Sequence, residues 1–149
     1  MMRRSRHGKS RRKGQSLVEF TAVAITLCVM LLSAIEVARL VLVYTAVANS
    51  VRAGARYAVV HGSSRTGSGV DGPSGPGNNP SQVLTVVRDF AGTGLMDTAR
   101  LAVTVEYPGA SNSPGQTVNV TAVYVYDPLT RLIPFSVHLG STTQGVIEY

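Results

Sequence analysis

Hydrophobic positions fall into three regimes along this chain. Phe20 to Ile35 is an uncharged run of sixteen residues. As a helix it would be about 24 Å long, short of the roughly 30 Å hydrocarbon core of a bilayer. Val37 to Val43 supply the missing length if Glu36 and Arg39, three apart on one helical face, offset each other or meet neighbouring helices. The alternative sets Glu36 at headgroup level in a thin or tilted span. Further on the pattern becomes amphipathic. Leu40, Tyr44, Val47, Val51, Ala55 and Ala58 form an apolar stripe at steps of three and four, while Thr45, Asn49, Arg52 and Arg56 form a polar one. One helix over 15–61 is expected, spanning a membrane over about 20–43 and continuing as a stalk to 60, with Gly62 placed for a left-handed cap.

The second regime, 62–79, is rich in Gly, Ser, Pro and Asn and reads as a flexible loop. Its Gly67-Ser68-Gly69-Val70-Asp71-Gly72 has the letters of a dinucleotide fingerprint. No strand precedes it, and Pro73 and Pro76 stand where a helix should open, so that match is rejected. The third regime, 80–149, reads as a small α+β domain. Asn79-Pro80 starts a short helix to Ala91, with Val83, Leu84, Val87, Phe90 and Ala91 inward and Gly92 ending it. Leu101, Val103, Val105 and Tyr107 alternate with polar or small residues, as do Val118, Val120, Ala122, Tyr124 and Tyr126. From Ala122 to Val125 both faces are apolar, as a strand covered on both sides requires. After an apolar loop around Leu132 to Phe135, Ser136 to Tyr149 reads as a third strand or a hairpin broken by Gly140 and Gly145. The fold class is α+β: a long N-terminal transmembrane and amphipathic helix packed on a small antiparallel sheet of three to four strands.

Charge changes the picture at one end only. The net charge is +6, yet seven of fourteen Lys and Arg (Arg3, Arg4, Arg6, Lys9, Arg11, Arg12, Lys13) precede Gly14, leaving seven basic against eight acidic residues afterwards. A basic flank beside an apolar helix is what the positive-inside rule expects of a cytoplasmic N-terminus, and it ranks above nucleic-acid binding, which is not expected. Cys28, the single cysteine, lies in the apolar run and reads as filler. His7, His61 and His138 lack metal-ligand spacing, and Asp89, Asp97, Glu106 and Asp127 lie in separate elements as solvated surface. No metal, no cofactor and no enzyme activity is expected.

The remaining motif is Gly14-Gln15-Ser16-Leu17-Val18-Glu19-Phe20. A secretory signal cut near Ala46-Val47-Ala48 is opposed by Glu19 at the head of the apolar run and by the stripe continuing through Ala48. Ser16-Leu17-Val18-Glu19 also has the form of a capping box, in which Glu19 closes its own helix start. With Glu36 to Arg39 and Ser50 to Val59, the junction resembles type IV prepilins, in particular the TadE-like family of tight-adherence pilus systems. The resemblance covers roughly Gly14 to Val60. The family often has a proline where this chain has Ile25, so a straighter helix is expected.

That resemblance implies a pilin-like fold and a minor pilin or pseudopilin of the bacterial cytoplasmic membrane, with the N-terminus cytoplasmic and the C-terminal domain extracytoplasmic or in the pilus. A prepilin peptidase would remove the leader, 1–14, between Gly14 and Gln15. Glu19 and Phe20 would act in helix assembly, Glu19 meeting the freed amine of a neighbouring subunit's Gln15. Implied partners are that peptidase, other pilin or pseudopilin subunits, the pilus assembly platform and membrane lipid. Arg52 and Arg56 are either a partner-binding pair or the wet face of the helix. The alternative function is an uncleaved single-pass membrane protein with an extracytoplasmic binding domain.

Overall fold

The computed structural model describes residues 9–66, 70–73, 80–94, 97–129 and 136–149, with side chains from Gly14 onward. His7, the opening of the fingerprint-like stretch, Asn79 and the apolar loop at 132–135 lie outside the described residues. The chain divides into two compact units, Met1–Ala38 and Arg39–Tyr149.

The first unit is helical and bare. Helix α1 (Lys9–Val60) begins upstream of Gly14 and passes Ile25 unbroken. Leu17, Phe20, Val23, Ile25, Leu27, Met30 and Ile35 are all exposed. The hydroxyls of Thr21, Thr26 and Ser33 donate to the carbonyls of Leu17, Ala22 and Val29 at 2.8, 2.9 and 2.8 Å. Polar groups on this segment are thereby satisfied within the helix, as a lipid environment demands. Glu36 departs from this pattern in being buried, at 6 % exposure.

The second unit holds the core. Its helical side is the later half of α1, with Val43, Val47, Val51, Ala55 and Ala58 buried, and α2 (Ser81–Gly92), with Val83, Val87 and Ala91 buried. Tyr44, expected in the stripe, is exposed, and Val43 takes its place. Positions 43 and 44 lie one turn before Val47 but about 100° apart, and the core takes the Val43 side. Phe90 is likewise exposed rather than inward. The contact runs along Val83, Val87 and Ala91 in steps of four, and Phe90 stands about 60° round the helix from Val87 and about 100° from Ala91.

The sheet is an antiparallel meander in the order β1 (Leu101–Glu106), β2 (Thr117–Tyr126), β3 (Val137–Val146). Leu101 pairs with Tyr124 and Glu106 with Asn119; Thr117 pairs with Val146 and Tyr126 with Val137. The alternation of β1 and β2 is that of the sequence, with Val103, Val105, Val118, Val120 and Ala122 facing the core. The opposite face is less covered than expected, since Val123 and Val125 stay half-exposed. Gly140 and Gly145 do not interrupt β3, and pair with Val123 and Val118 in continuous register.

Two long-range polar links tie the loops to this core. Pro80 precedes α2 without a side-chain cap. Asp71 supplies one from outside: its Oδ2 accepts from Val83 N–H at 2.9 Å and its Oδ1 from Gly72 N–H at 3.2 Å. A carboxylate there also favours the positive end of the helix dipole. Asp71 is itself held, its N–H donating to the His61 carbonyl at 2.9 Å and its carbonyl accepting from Asn112 Nδ2 at 2.9 Å. At the end of α1, Gly62 does not adopt the left-handed cap expected of it, the one glycine with positive φ among the described residues being Gly115 at 84°. Gly62 is needed for closeness instead. A Cβ there would stand 1.9 Å from the Tyr149 carbonyl oxygen and 2.6 Å from that of Asn112.

Tyr107 is 2 % exposed, and its hydroxyl has no hydrogen-bond partner among the described residues. Burial, with a smaller contribution from the Asp71 charge, pushes its pKa up to about 12. Between the ordinary tyrosine value near 10 and that value, the unfolded chain loses the proton while the folded chain keeps it. Stability is therefore expected to fall as pH rises from about 10 to about 12. Tyr107→Phe should flatten that fall in chemical denaturation at stepped pH. It should leave stability at pH 7 unchanged or raised by about 1 kcal/mol, because an unsatisfied buried hydroxyl is removed.

Candidate functional site

Three groups of residues singled out by the sequence occupy separate places in the structure. At the first, Gly14 is exposed, with no atom within 4 Å of where a Cβ would be. Gln15 Nε2 donates to Glu19 Oε1 at 3.3 Å, one turn on, and Glu19 and Phe20 both face outward. Because α1 starts at Lys9, Ser16 lies inside the helix and not at an N-cap. The capping-box reading of Ser16 and Glu19 therefore does not describe this helix start.

At the second, Arg39 is half-buried. Its guanidinium lies 5.1 Å from the centre of the Tyr126 ring, a cation–π distance, and its Nη1 donates to the Asp127 carbonyl at 3.4 Å. The Asp127 side chain pairs with Arg100, which also reaches Asp97 at 3.6 Å. The hydrogen bond and charge of Asp127 hold the Arg100 guanidinium above its usual pKa. Asp97 and Asp127 are thus ion-paired rather than merely solvated. Nothing in the sequence marked Asp127 as a neighbour of Arg39, because the two are 88 positions apart. Glu36 is placed in the first unit and Arg39 in the second.

At the third, Arg52 and Arg56 lie exposed on the flank of α1, one turn apart. Arg52 Nη1 donates to Asn49 Oδ1 at 2.9 Å. Both line an open groove of about 590 Å³ with Ala55, Val59, Thr143, Gly145 and Glu148. Among the described residues no cluster of three or more His, Cys, Asp or Glu is arranged to hold a metal.

Residues 14–56 match the family model described as TadE-like protein. The chain carries a TadE-like segment. The match begins at Gly14, includes Glu19, Glu36 and Arg39, and ends at Arg56, inside α1. The TadE-like segment thus holds the whole apolar run and most of the stalk, and stops before the sheet. Helix α1, which carries that segment, is long and apolar enough to cross a bilayer, with a mean hydropathy of 2.2 over its most apolar eighteen-residue stretch. No curated protein and no solved structure matches the chain.

Proposed function

We propose that this TadE-like chain is a minor pilin or pseudopilin that enters the cytoplasmic membrane with its N-terminus inside, is trimmed between Gly14 and Gln15 by a prepilin peptidase, and joins a tight-adherence pilus through helix packing. The observation that carries this reading is the bare apolar face of α1 directly behind an exposed Gly14 and an outward Glu19. A carboxylate at the edge of an apolar helix is costly in lipid until a cation reaches it. The amine freed at Gln15 of a neighbouring subunit is such a cation. Glu36 and Arg39 would serve at the outer edge of the span, close to where lipid gives way to the extracytoplasmic domain. Other pilin subunits and the assembly platform would be the partners.

N-terminal sequencing of membrane-extracted protein, made with and without a prepilin peptidase, tests the trimming. The expected result is a chain starting at Gln15 in the first sample and an intact leader in the second. Gly14→Ala should keep residues 1–14 in both. A leader retained by the wild-type chain beside an active peptidase would count against processing. One observation favours the uncleaved single-pass alternative: α1 runs helically through Gly14 back to Lys9, whereas a protease binds extended backbone. Cleavage would require that first part of the helix to unwind, which Gly14 assists.

A further inference from the structure

The outer edge of β3 and the basic groove beside it form one surface. Ile147 N–H donates to the Gln116 carbonyl at 2.9 Å and Ile147 O accepts from Gly115 N–H at 2.8 Å, while Glu148 N–H turns the other way, to Val59 O at 3.0 Å. Backbone groups alternate along an antiparallel strand. Odd-numbered residues of β3 therefore bond to β2, and His138, Gly140, Thr142, Gln144 and Val146 direct N–H and C=O away from the sheet. All five are exposed. This edge is ten residues long, in unbroken register, with no proline, lysine or bulge to blunt it. The opposite edge strand, β1, has six residues, ends in Glu106 and lies against α2.

Side chains on the core side of β3 pass from apolar to small and polar, from Val137 and Leu139 to Ser141, Thr143 and Gly145. Thr143 and Gly145 form one wall of the groove and Arg52 and Arg56 stand on the other; Glu148 also lines it, so two basic groups face one acidic group and the lining is net positive. A strand added beside β3 would place alternate side chains in that groove. The rise between Arg52 and Arg56 is about 6 Å along the helix, and alternate residues of a strand are about 6.7 Å apart. Two carboxylates at i and i+2 would match two guanidinium groups, each able to hold a carboxylate by a paired hydrogen bond.

We infer that β3 accepts a fourth strand from another protein chain, an extended segment carrying Asp or Glu at i and i+2 that meets Arg52 and Arg56. This chain has no such pair of its own, since none of its eight acidic residues is followed by another two positions later, so the charge match points to a different chain. The inference names the docking surface for the partner subunits proposed above. Its readout does not involve leader cleavage, so the two readings fail separately.

The test is fluorescence anisotropy of labelled decapeptides with the full chain in detergent. The peptides share a Thr/Val background and carry Glu at i and i+2, Lys at the same positions, or the Glu pair with alternate backbone amides N-methylated. The Glu peptide is expected to bind at least tenfold more tightly than the other two. Its binding should be lost in Arg52→Glu/Arg56→Glu, should weaken with salt, and should slow amide exchange at Thr142 and Gln144. Equal binding of the N-methylated peptide would overturn strand addition. No preference for Glu over Lys would overturn the role of the arginines. Disulfide capture of Thr142→Cys as a homodimer in a Cys28→Ser background, unaffected by the Glu peptide, would overturn the assignment to a different chain. The N-methylated peptide acts on unaltered protein, so a misfolded variant does not blunt the result.

Discussion

Gly54→Leu is expected to unfold the sheet-bearing domain while leaving the apolar helix intact. A Cβ at position 54 would lie 2.3 Å from Val87 Cγ2, 3.5 Å from Val83 Cγ1 and 3.6 Å from Val120 Cγ1. All three valines are fully buried. Valine in a helix has essentially one χ1 rotamer, so Val83 and Val87 cannot swing aside. Only a separation of α1 from α2 makes room. Leucine regains about 0.8 kcal/mol of helix propensity relative to glycine. Overpacking by several carbons costs about 3 kcal/mol or more, a large part of the 5–15 kcal/mol that ordinarily holds a domain. Tyrosine near-UV circular dichroism in detergent should collapse, with far-UV helix signal largely retained. Gly54→Ala should lose less, and pairing it with Val87→Ala should recover much of that loss, because the blocking methyl is removed. A Gly54→Leu protein melting like wild type would show that α1 and α2 do not cross so closely.

Gly62→Ala is the second large effect, and its origin differs. The clash is with backbone: the Tyr149 carbonyl at 1.9 Å and the Asn112 carbonyl at 2.6 Å, with Ile147 Cγ2 at 2.4 Å. The Asn112 carbonyl is held in place by the bond it accepts from Ser63 N–H, so the chain after α1 must move. Movement breaks the Ser63 N–H to Asn112 bond and the Glu148 N–H to Val59 bond, both 3.0 Å. At about 1 kcal/mol each, plus the crowding itself, the loss should be about 3 kcal/mol. Hydrogen exchange should quicken at Ser63 and Glu148 before it does in the middle of β2. Unchanged exchange at both amides would contradict the close packing of this junction.

Much of the architecture was legible because it follows local period. The strands β1 and β2 could be read from alternate valines, and the stalk from Val47, Val51, Ala55 and Ala58. The errors lie where a neighbour distant in sequence chooses among local options. Either Val43 or Tyr44 satisfies the helical step before Val47, and the core decides between them. Either Phe90 or Ala91 could close the α2 face. The cap of α2 comes from Asp71, twelve positions from the N–H it accepts, within a stretch whose composition reads only as loop. Arg52 and Arg56 could be recognised as a polar face, but their position beside the edge of β3 depends on which strand ends the meander. The junction at Gly14 was readable for another reason, since its residue types and order carry the resemblance without any fold.

The later half of α1 has a consequence for how this protein can be divided or pulled. Val47, Val51, Ala55 and Ala58 belong both to the anchoring helix and to the core. A fragment starting at residue 62 or 80 would leave Val83, Val87, Val118 and Val120 without the side chains that cover them, so a soluble piece has to begin near Arg39. Within the second unit, displacing the later half of α1 means shearing its rows of valine contacts with α2 and the sheet. Between Lys9 and Val60, α1 is helical throughout and offers no linker that could uncoil.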